Sequence, residues 1–279
     1  MTDKIKTVHL EGAPSLIKES TPIVRYMKLE TLLLMLDEGL VFIPSYETLS
    51  RGDRLETGIL CDLPKRWKFW ENWSDKTGSW LEDFASVFRP LPSVKAKAIQ
   101  DVFRQYVDVL ARTRCIWCWN KFRSFSNALW YIYGERGVAV TSTVGRVKAS
   151  LVKAGVLRGI VAPIAYVNHE RPRNSKLITQ ENIFRPYLFK SIAYDYENEV
   201  RFVLGANWGP LEEKGGLLIP IDAVDFIDNI EPSPHLQREE QSAVRKMVKR
   251  LIERGRKERK NPSLSPDWIE CRPPFSDLL

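Results

Sequence analysis

The most specific string in this chain is Lys190-Ser-Ile-Ala-Tyr-Asp-Tyr-Glu-Asn-Glu-Val-Arg-Phe-Val203. Glu197 and Glu199 stand two apart, so on a strand running from Tyr196 to Leu204 both carboxylates point to one face. Flanked by Val200, Phe202 and Val203, that face is expensive for charge if it is buried. Like charges raise each other's pKa and burial raises it further, and perturbed carboxylates of this kind mark functional sites. A sheet face open to water would make the pair cheap instead. Lys190 and Arg201 can each neutralise the glutamates, and an ion pair from Arg201 to Glu199 is the sharpest structural rival to a chemical role.

Other chemistries lack their residues. The chain has no G-x-x-x-x-G-K-[ST], G-x-G-x-x-G, H-E-x-x-H or G-x-S-x-G, so phosphate-loop, zincin and nucleophile-elbow chemistry are not expected. His9, His169 and His235 have no ligand spacing. Cys115 and Cys118 form one C-x-x-C, half of a four-ligand zinc site, so no metal is expected. Cys115-Ile-Trp-Cys-Trp119 reads better as a buried strand with thiols acting as small hydrophobes.

The elements that must position these residues follow from periodicity. Residues 1–20 read as a loose polar arm. Pro22 to Met27 has strand character, Leu29 to Gly39 a helical pattern (Leu29, Leu32, Leu33, Leu36) with Gly39 as its stop, and Leu40 to Ile43 a strand. Residues 45–113 read as a mostly helical insertion, with the best helical spacing from Val94 to Arg112. Beyond it, Ser126 to Tyr133 is a short helix and Val138 to Thr143 a strand. Val144 to Ala154 is a helix, and Leu157 to Val167 a strand interrupted at Pro163. Pro186 to Ser191 is helical or irregular. Strands are expected over Gly215–Ile221 and Phe226–Ile230, with Asp222 capping a turn between them. Gln237 to Lys257 is an amphipathic helix, followed by a Pro-rich tail. The tally is a single α+β domain over residues 1–279, its β core split by the insertion, closed by the basic helix and tail over about 237–279.

Two resemblances bear on function. Arg25-Tyr-Met-Lys-Leu-Glu-Thr-Leu-Leu-Leu-Met-Leu36, Cys118-Trp-Asn120, Ala128-Leu-Trp130 with Tyr133, Gly137-Val138, Lys190 and Tyr196-Glu-Asn-Glu-Val-Arg201 resemble the uncharacterised bacterial family DUF2971, in blocks from about residue 22 to 205. More distantly, Arg25 on a first strand, Thr141-Ser-Thr143 at the end of another and Glu197-Asn-Glu199 followed by apolar residues resemble the arginine–serine–glutamate ADP-ribosyltransferases. The opening also resembles the DNA-modifying toxins of that group. This likeness implies an ADP-ribosyltransferase-like β core and NAD as substrate. Cleaving the nicotinamide–ribose bond leaves an oxocarbenium-like sugar that a carboxylate stabilises. By resemblance, Glu199 takes that role, Glu197 orients or deprotonates the acceptor, and Ser142 fixes Glu199. Arg25 holds a pyrophosphate oxygen or ribose through its planar fork. Either Thr141 or Ser142 fills the serine position. Tyr26, Trp130 and Tyr133 are candidates to sandwich nicotinamide, although large aromatics such as Trp130 are usually core. Lys190 completes the cofactor-binding set.

Composition sets the outer bounds. The 279 residues are 44% hydrophobic, 11% aromatic and 28% charged, which excludes disordered, collagen-like and coiled-coil chains. No apolar run approaches a membrane span and the opening lacks a signal peptide's apolar core, so a soluble cytoplasmic protein with no membrane partner is expected. The net charge is +7, with nine Lys or Arg between Arg245 and Lys260. That stripe is either a solvated helix face or a phosphate-contacting surface. A nucleic-acid or protein acceptor is the expected partner. An antitoxin or other regulatory partner is a further expectation, because relatives of this kind include toxins and phage-defence effectors. The alternative is a non-catalytic binding module of the same fold, with purely structural glutamates.

Overall fold

The computed structural model describes residues 5–7, 16–52, 109, 111–156, 158–167, 186–205 and 215–260. Residues 53–108 of the helical reading over 45–113 and the Pro-rich tail after 260 lie outside these residues, as do Cys61, Cys271, His9 and His169.

The strands are β1 (Ile5–Thr7), β2 (Pro22–Met27), β3 (Leu40–Pro44), β4 (Arg114–Lys121), β5 (Val138–Thr143), β6 (Gly159–Pro163), β7 (Ala165–Val167), β8 (Phe189–Ser191), β9 (Glu199–Gly205), β10 (Gly216–Pro220) and β11 (Asn229–Pro232). The helices are α1 (Leu29–Glu38), α2 (Tyr46–Gly52), α3 (Asn127–Tyr133), α4 (Val144–Lys153), α5 (Ala223–Phe226) and α6 (Arg238–Lys260). Two 3-10 turns, Pro186–Leu188 and Ile192–Glu197, bracket β8.

A seven-stranded mixed sheet runs β1-β6-β9-β4-β2-β5-β11, and β3–β10 and β7–β8 form two small ribbons. Only β1–β6 is parallel in the large sheet; its other ladders are antiparallel. The fold is therefore mixed, of α+β character. The expected loose N-terminal arm is corrected in part, because Ile5–Thr7 pairs with Gly159–Val161 and Ile5 is fully buried.

Side-chain alternation divides the sheet into two unlike faces. One carries Ile23, Met27, Trp117, Trp119, Val140, Val200, Phe202 and Leu204. It is covered by Leu32 and Met35 of α1, Val147 and Leu151 of α4, Phe226 of α5 and Val244 and Val248 of α6. Trp117 is the hub, edge-on to Trp119 at 5.4 Å and to Phe226 at 5.6 Å between ring centres. On the other face a smaller cluster joins Val24, Tyr26 and Ala139 to Leu129 and Trp130 of α3. Beside that cluster the same face turns polar, with Asn120 opposite Glu199 and Cys118 opposite Arg201.

Local signals explain several boundaries. Gly39 ends α1 in the left-handed region at φ 64, which costs a glycine little. The side chains of Ser126, Thr143 and Asp222 accept from Leu129, Arg146 and Val224 amides, capping α3, α4 and α5. One expectation fails where it matters most. The strand read from Tyr196 to Leu204 begins only at Glu199, because Ile192–Glu197 is a 3-10 turn closed by Asn198 at φ 46, ψ 53. Competing hydrogen bonds cause the difference: the Asn198 amide bonds back to the Asp195 carbonyl and its own carbonyl accepts from Lys121. Pro186–Ser191 likewise divides into a 3-10 turn and β8.

Candidate active site

Glu199 opens β9 at the sheet centre, 2% exposed. Arg201, two residues on and fully buried, lies on the same face. Its lateral neighbours in the ladders are Cys118 and Ala162. Both are small, which leaves width for a guanidinium inside the sheet. Arg201 Nε donates to Glu199 Oε1 at 2.7 Å, Nη2 to Oε2 at 3.2 Å, and Nη1 to the Tyr187 carbonyl at 2.8 Å. The β7–β8 ribbon supplies the next layer, with Tyr166 and Lys190 side by side in register. Lys190 Nζ reaches Glu197 Oε2 at 2.7 Å and Glu199 Oε2 at 3.3 Å, with the Tyr194 ring centre 4.6 Å away. The Glu199 amide donates to Tyr166 Oη at 2.7 Å.

Electrostatics set the charge state of this cluster. Burial alone would raise the Glu199 pKa. Arg201 and Lys190 outweigh it, with hydrogen bonds from Arg201 and the Cys118 thiol, and hold it down to about 2. Glu199 is thus an anion at every working pH. The Tyr166 phenol shifts up, first through burial and then through the neighbouring Glu199 and Glu197.

Glu197 arrives differently. It ends the 3-10 turn rather than sharing a strand with Glu199, and the Asn120 side-chain amide pins its carbonyl at 2.8 Å. The two carboxylates still meet, through Lys190. Glu197 Oε1 accepts from the Tyr133 hydroxyl at 2.9 Å. Glu197 is 3% exposed, whereas Tyr133, at the end of α3, is 43% exposed.

Arg25 reaches the cluster through a defect in the sheet. β2 and β4 pair only at Ile23–Lys121 and Val24–Asn120, while β2 stays on β5 through Met27. Beyond Val24 the two strands part. Arg25 fills the opening and donates to the Cys118 carbonyl. Desolvation lowers its pKa, while Cys118, Glu199 and Tyr133 favour its charged form, and a guanidinium stays protonated regardless.

The structure therefore gathers Arg25, Tyr133, Lys190, Glu197 and Glu199. It sets the remaining candidates elsewhere. Ser142 faces the opposite core, where its hydroxyl donates to the Phe226 carbonyl at 2.5 Å, so it does not hold Glu199. Thr141 does share the Glu199 face, in the row Glu199, Asn120, Val24, Thr141. Three strand spacings put it about 14 Å from Glu199. Tyr26 and Trp130 pack edge-on at 4.9 Å between centres in the smaller cluster, and Trp130 is 2% exposed. Both are core, and the Tyr26 hydroxyl accepts from the Ser126 amide. Cys115 and Cys118 are three apart on β4 and so face opposite sides of the sheet, which prevents joint metal binding. Tyr166, Cys118 and Asn120 were not legible as site residues. Cys118 sits in a string dominated by tryptophans, and Tyr166 and Asn120 act only through a register no local pattern encodes.

Comparison with protein-family models, curated proteins and solved structures returned no match for the chain.

Proposed function

We propose that the chain is an NAD-consuming, ADP-ribosyltransferase-like enzyme that passes ADP-ribose to an acceptor. The observation that carries this reading is the gathering of Arg25 and the Glu197–Glu199 pair, distant in sequence, where β2 leaves β4. A fixed guanidinium suits a pyrophosphate oxygen, and an adjacent carboxylate suits a sugar developing positive charge. The exposed Tyr133 ring offers a flat apolar face to nicotinamide. In the reaction the ribose–nicotinamide bond breaks and nicotinamide leaves with the bonding electron pair. An acceptor lone pair then bonds the anomeric carbon, and the acceptor's proton passes to a carboxylate.

A second reading has its own observation. Glu199 is already neutralised by Arg201 and Lys190 at hydrogen-bond distance, as in a module whose charges serve only to build it. Incubating the purified chain with NAD and DNA, RNA or protein acceptors separates the two. Nicotinamide release, with mass added to one acceptor class, is the expected result. No release, with no NAD-induced rise in melting temperature, leaves the module.

A further inference from the structure

The resemblance implies Glu199 as the working carboxylate. We infer instead that Glu197, together with Tyr133, is the group that meets the ribose, and that Glu199 is an internal anchor; the ribose half of this assignment rests on the NAD reading above.

A carboxylate offers about four acceptor directions. Those of Glu199 are taken by Arg201 Nε, Arg201 Nη2, Lys190 Nζ and the Cys118 thiol. A ligand hydroxyl could reach it only by displacing a buried cation or opening the sheet at β4. Among the described residues Glu197 accepts two side-chain hydrogen bonds, from Tyr133 and Lys190. Half of its capacity is left. Among the described residues Oε1 is held by the hydroxyl of Tyr133, a residue 43% exposed, so a swing of that side chain releases Oε1. A ribose hydroxyl then takes the place of the Tyr133 hydroxyl on Oε1, and the freed ring lies at the edge where nicotinamide departs.

Lys190 explains how the two roles coexist. Its Nζ spans Glu197, Glu199 and the Tyr194 ring face, so Glu199 helps hold Lys190 in place, and Lys190 aims Glu197. Rotating Tyr133 leaves the Lys190 bond to Oε2 intact. The proton released by the acceptor goes to Oε1 of Glu197 and from there to solvent past Tyr133. Glu199 exchanges no proton in this sequence.

Glu197→Gln and Glu199→Gln in the full chain test the division of labour, read by nicotinamide release from NAD and by thermal melting. Glu197→Gln is expected to lower the turnover number at least about 100-fold with KM changed far less. Because Lys190 keeps Glu199 as an ion-pair partner, it is expected to melt only about 5 °C below the parent. Glu199→Gln leaves Arg201 without its anion. It is expected to melt on the order of 10 °C lower, with turnover per folded molecule within about tenfold of the parent. Glu199→Gln melting like the parent, or Glu197→Gln falling as far as Glu199→Gln, overturns the anchor assignment whatever the turnover. Glu197→Gln keeping parental turnover overturns the ribose assignment while the NAD reading stands. A parent that releases no nicotinamide with any acceptor overturns the ribose assignment together with the NAD reading, and the melting order still decides the anchor.

Discussion

A carboxylate sealed inside a sheet survives only if its partners outweigh the lost hydration, and Glu199 shows how. With its pKa depressed to about 2, against an ordinary 4.5, the deprotonated form is bound more tightly in the folded state than in the unfolded one. The stability this contributes is therefore full above the unfolded pKa and is lost as pH falls from about 4.5 through 2, amounting to about 3 kcal/mol. Urea unfolding at pH 7, 5 and 3 should show that loss in the parent and not in Glu199→Gln. Equal acid sensitivity of the two proteins would mean that other groups set it. Arg201→Met probes the same pair from the other side. It removes the shorter of two Glu199 ion pairs among the described residues, leaving that with Lys190 at 3.3 Å, and should cost about 3–5 kcal/mol at neutral pH, measured as the drop in unfolding free energy.

At the scale of elements, the turn at Asn198 decides where both glutamates point. Its left-handed backbone lets the 3-10 turn end and β9 begin within one residue. Asparagine tolerates that region and glycine prefers it, whereas a β-branched residue resists it. Asn198→Val should cost about 1–3 kcal/mol and Asn198→Gly much less, seen as an ordering of melting temperatures; the reverse ordering would show that the Asn198 side chain, not its backbone, matters. This turn also marks the limit of what the sequence discloses. Apolar periodicity placed β2, α1, β3, β5 and α4 because each buries a stripe of its own. It misread Tyr196–Asn198 as the start of a strand, where the backbone instead closes a turn on itself. The pair Glu197–Glu199 was visible as residue types, and so was the Arg201 rival. That Arg25 joins them was expected by resemblance alone; the way it does so, through a ladder that stops after two pairs, was not visible. The placing of Ser142 on the far face followed from the same hidden register.

On the whole-molecule scale, charge is distributed around α6. Val244 and Val248 are buried in the core with Ile252 against it, which turns Lys246, Lys249 and Arg250 to solvent. Part of the basic stripe serves the fold instead. Arg245 pairs with Glu231 at 2.6 Å, and Arg254 pairs with Asp37. No helix among the described residues is long and apolar enough to cross a membrane. If the acceptor is a nucleic acid, replacing Lys246, Lys249 and Arg250 together by Ser should reduce the slope of log affinity against log salt by about 2 to 3. Melting should move little, because exposed substitutions cost about 0.5 kcal/mol or less each. A parent that binds no oligonucleotide at about 150 mM salt would make the stripe a solvated face and favour a protein acceptor.

The order of strands carries a kinetic consequence. The Glu199 cluster is sealed from water by β4, far earlier in the chain, on one side of β9 and by the β7–β8 ribbon beside it. Until these have docked, the four charges of Lys190, Glu197, Glu199 and Arg201 are better served by water, so this cluster dehydrates late on the way to the native state. Glu199→Gln should accordingly leave the refolding rate almost untouched and raise the unfolding rate by nearly the whole loss in stability. On a plot of log rate against denaturant only the unfolding arm would rise. The ion cluster is then a latch closed after the sheet has formed, setting how long the molecule stays folded rather than how fast it folds.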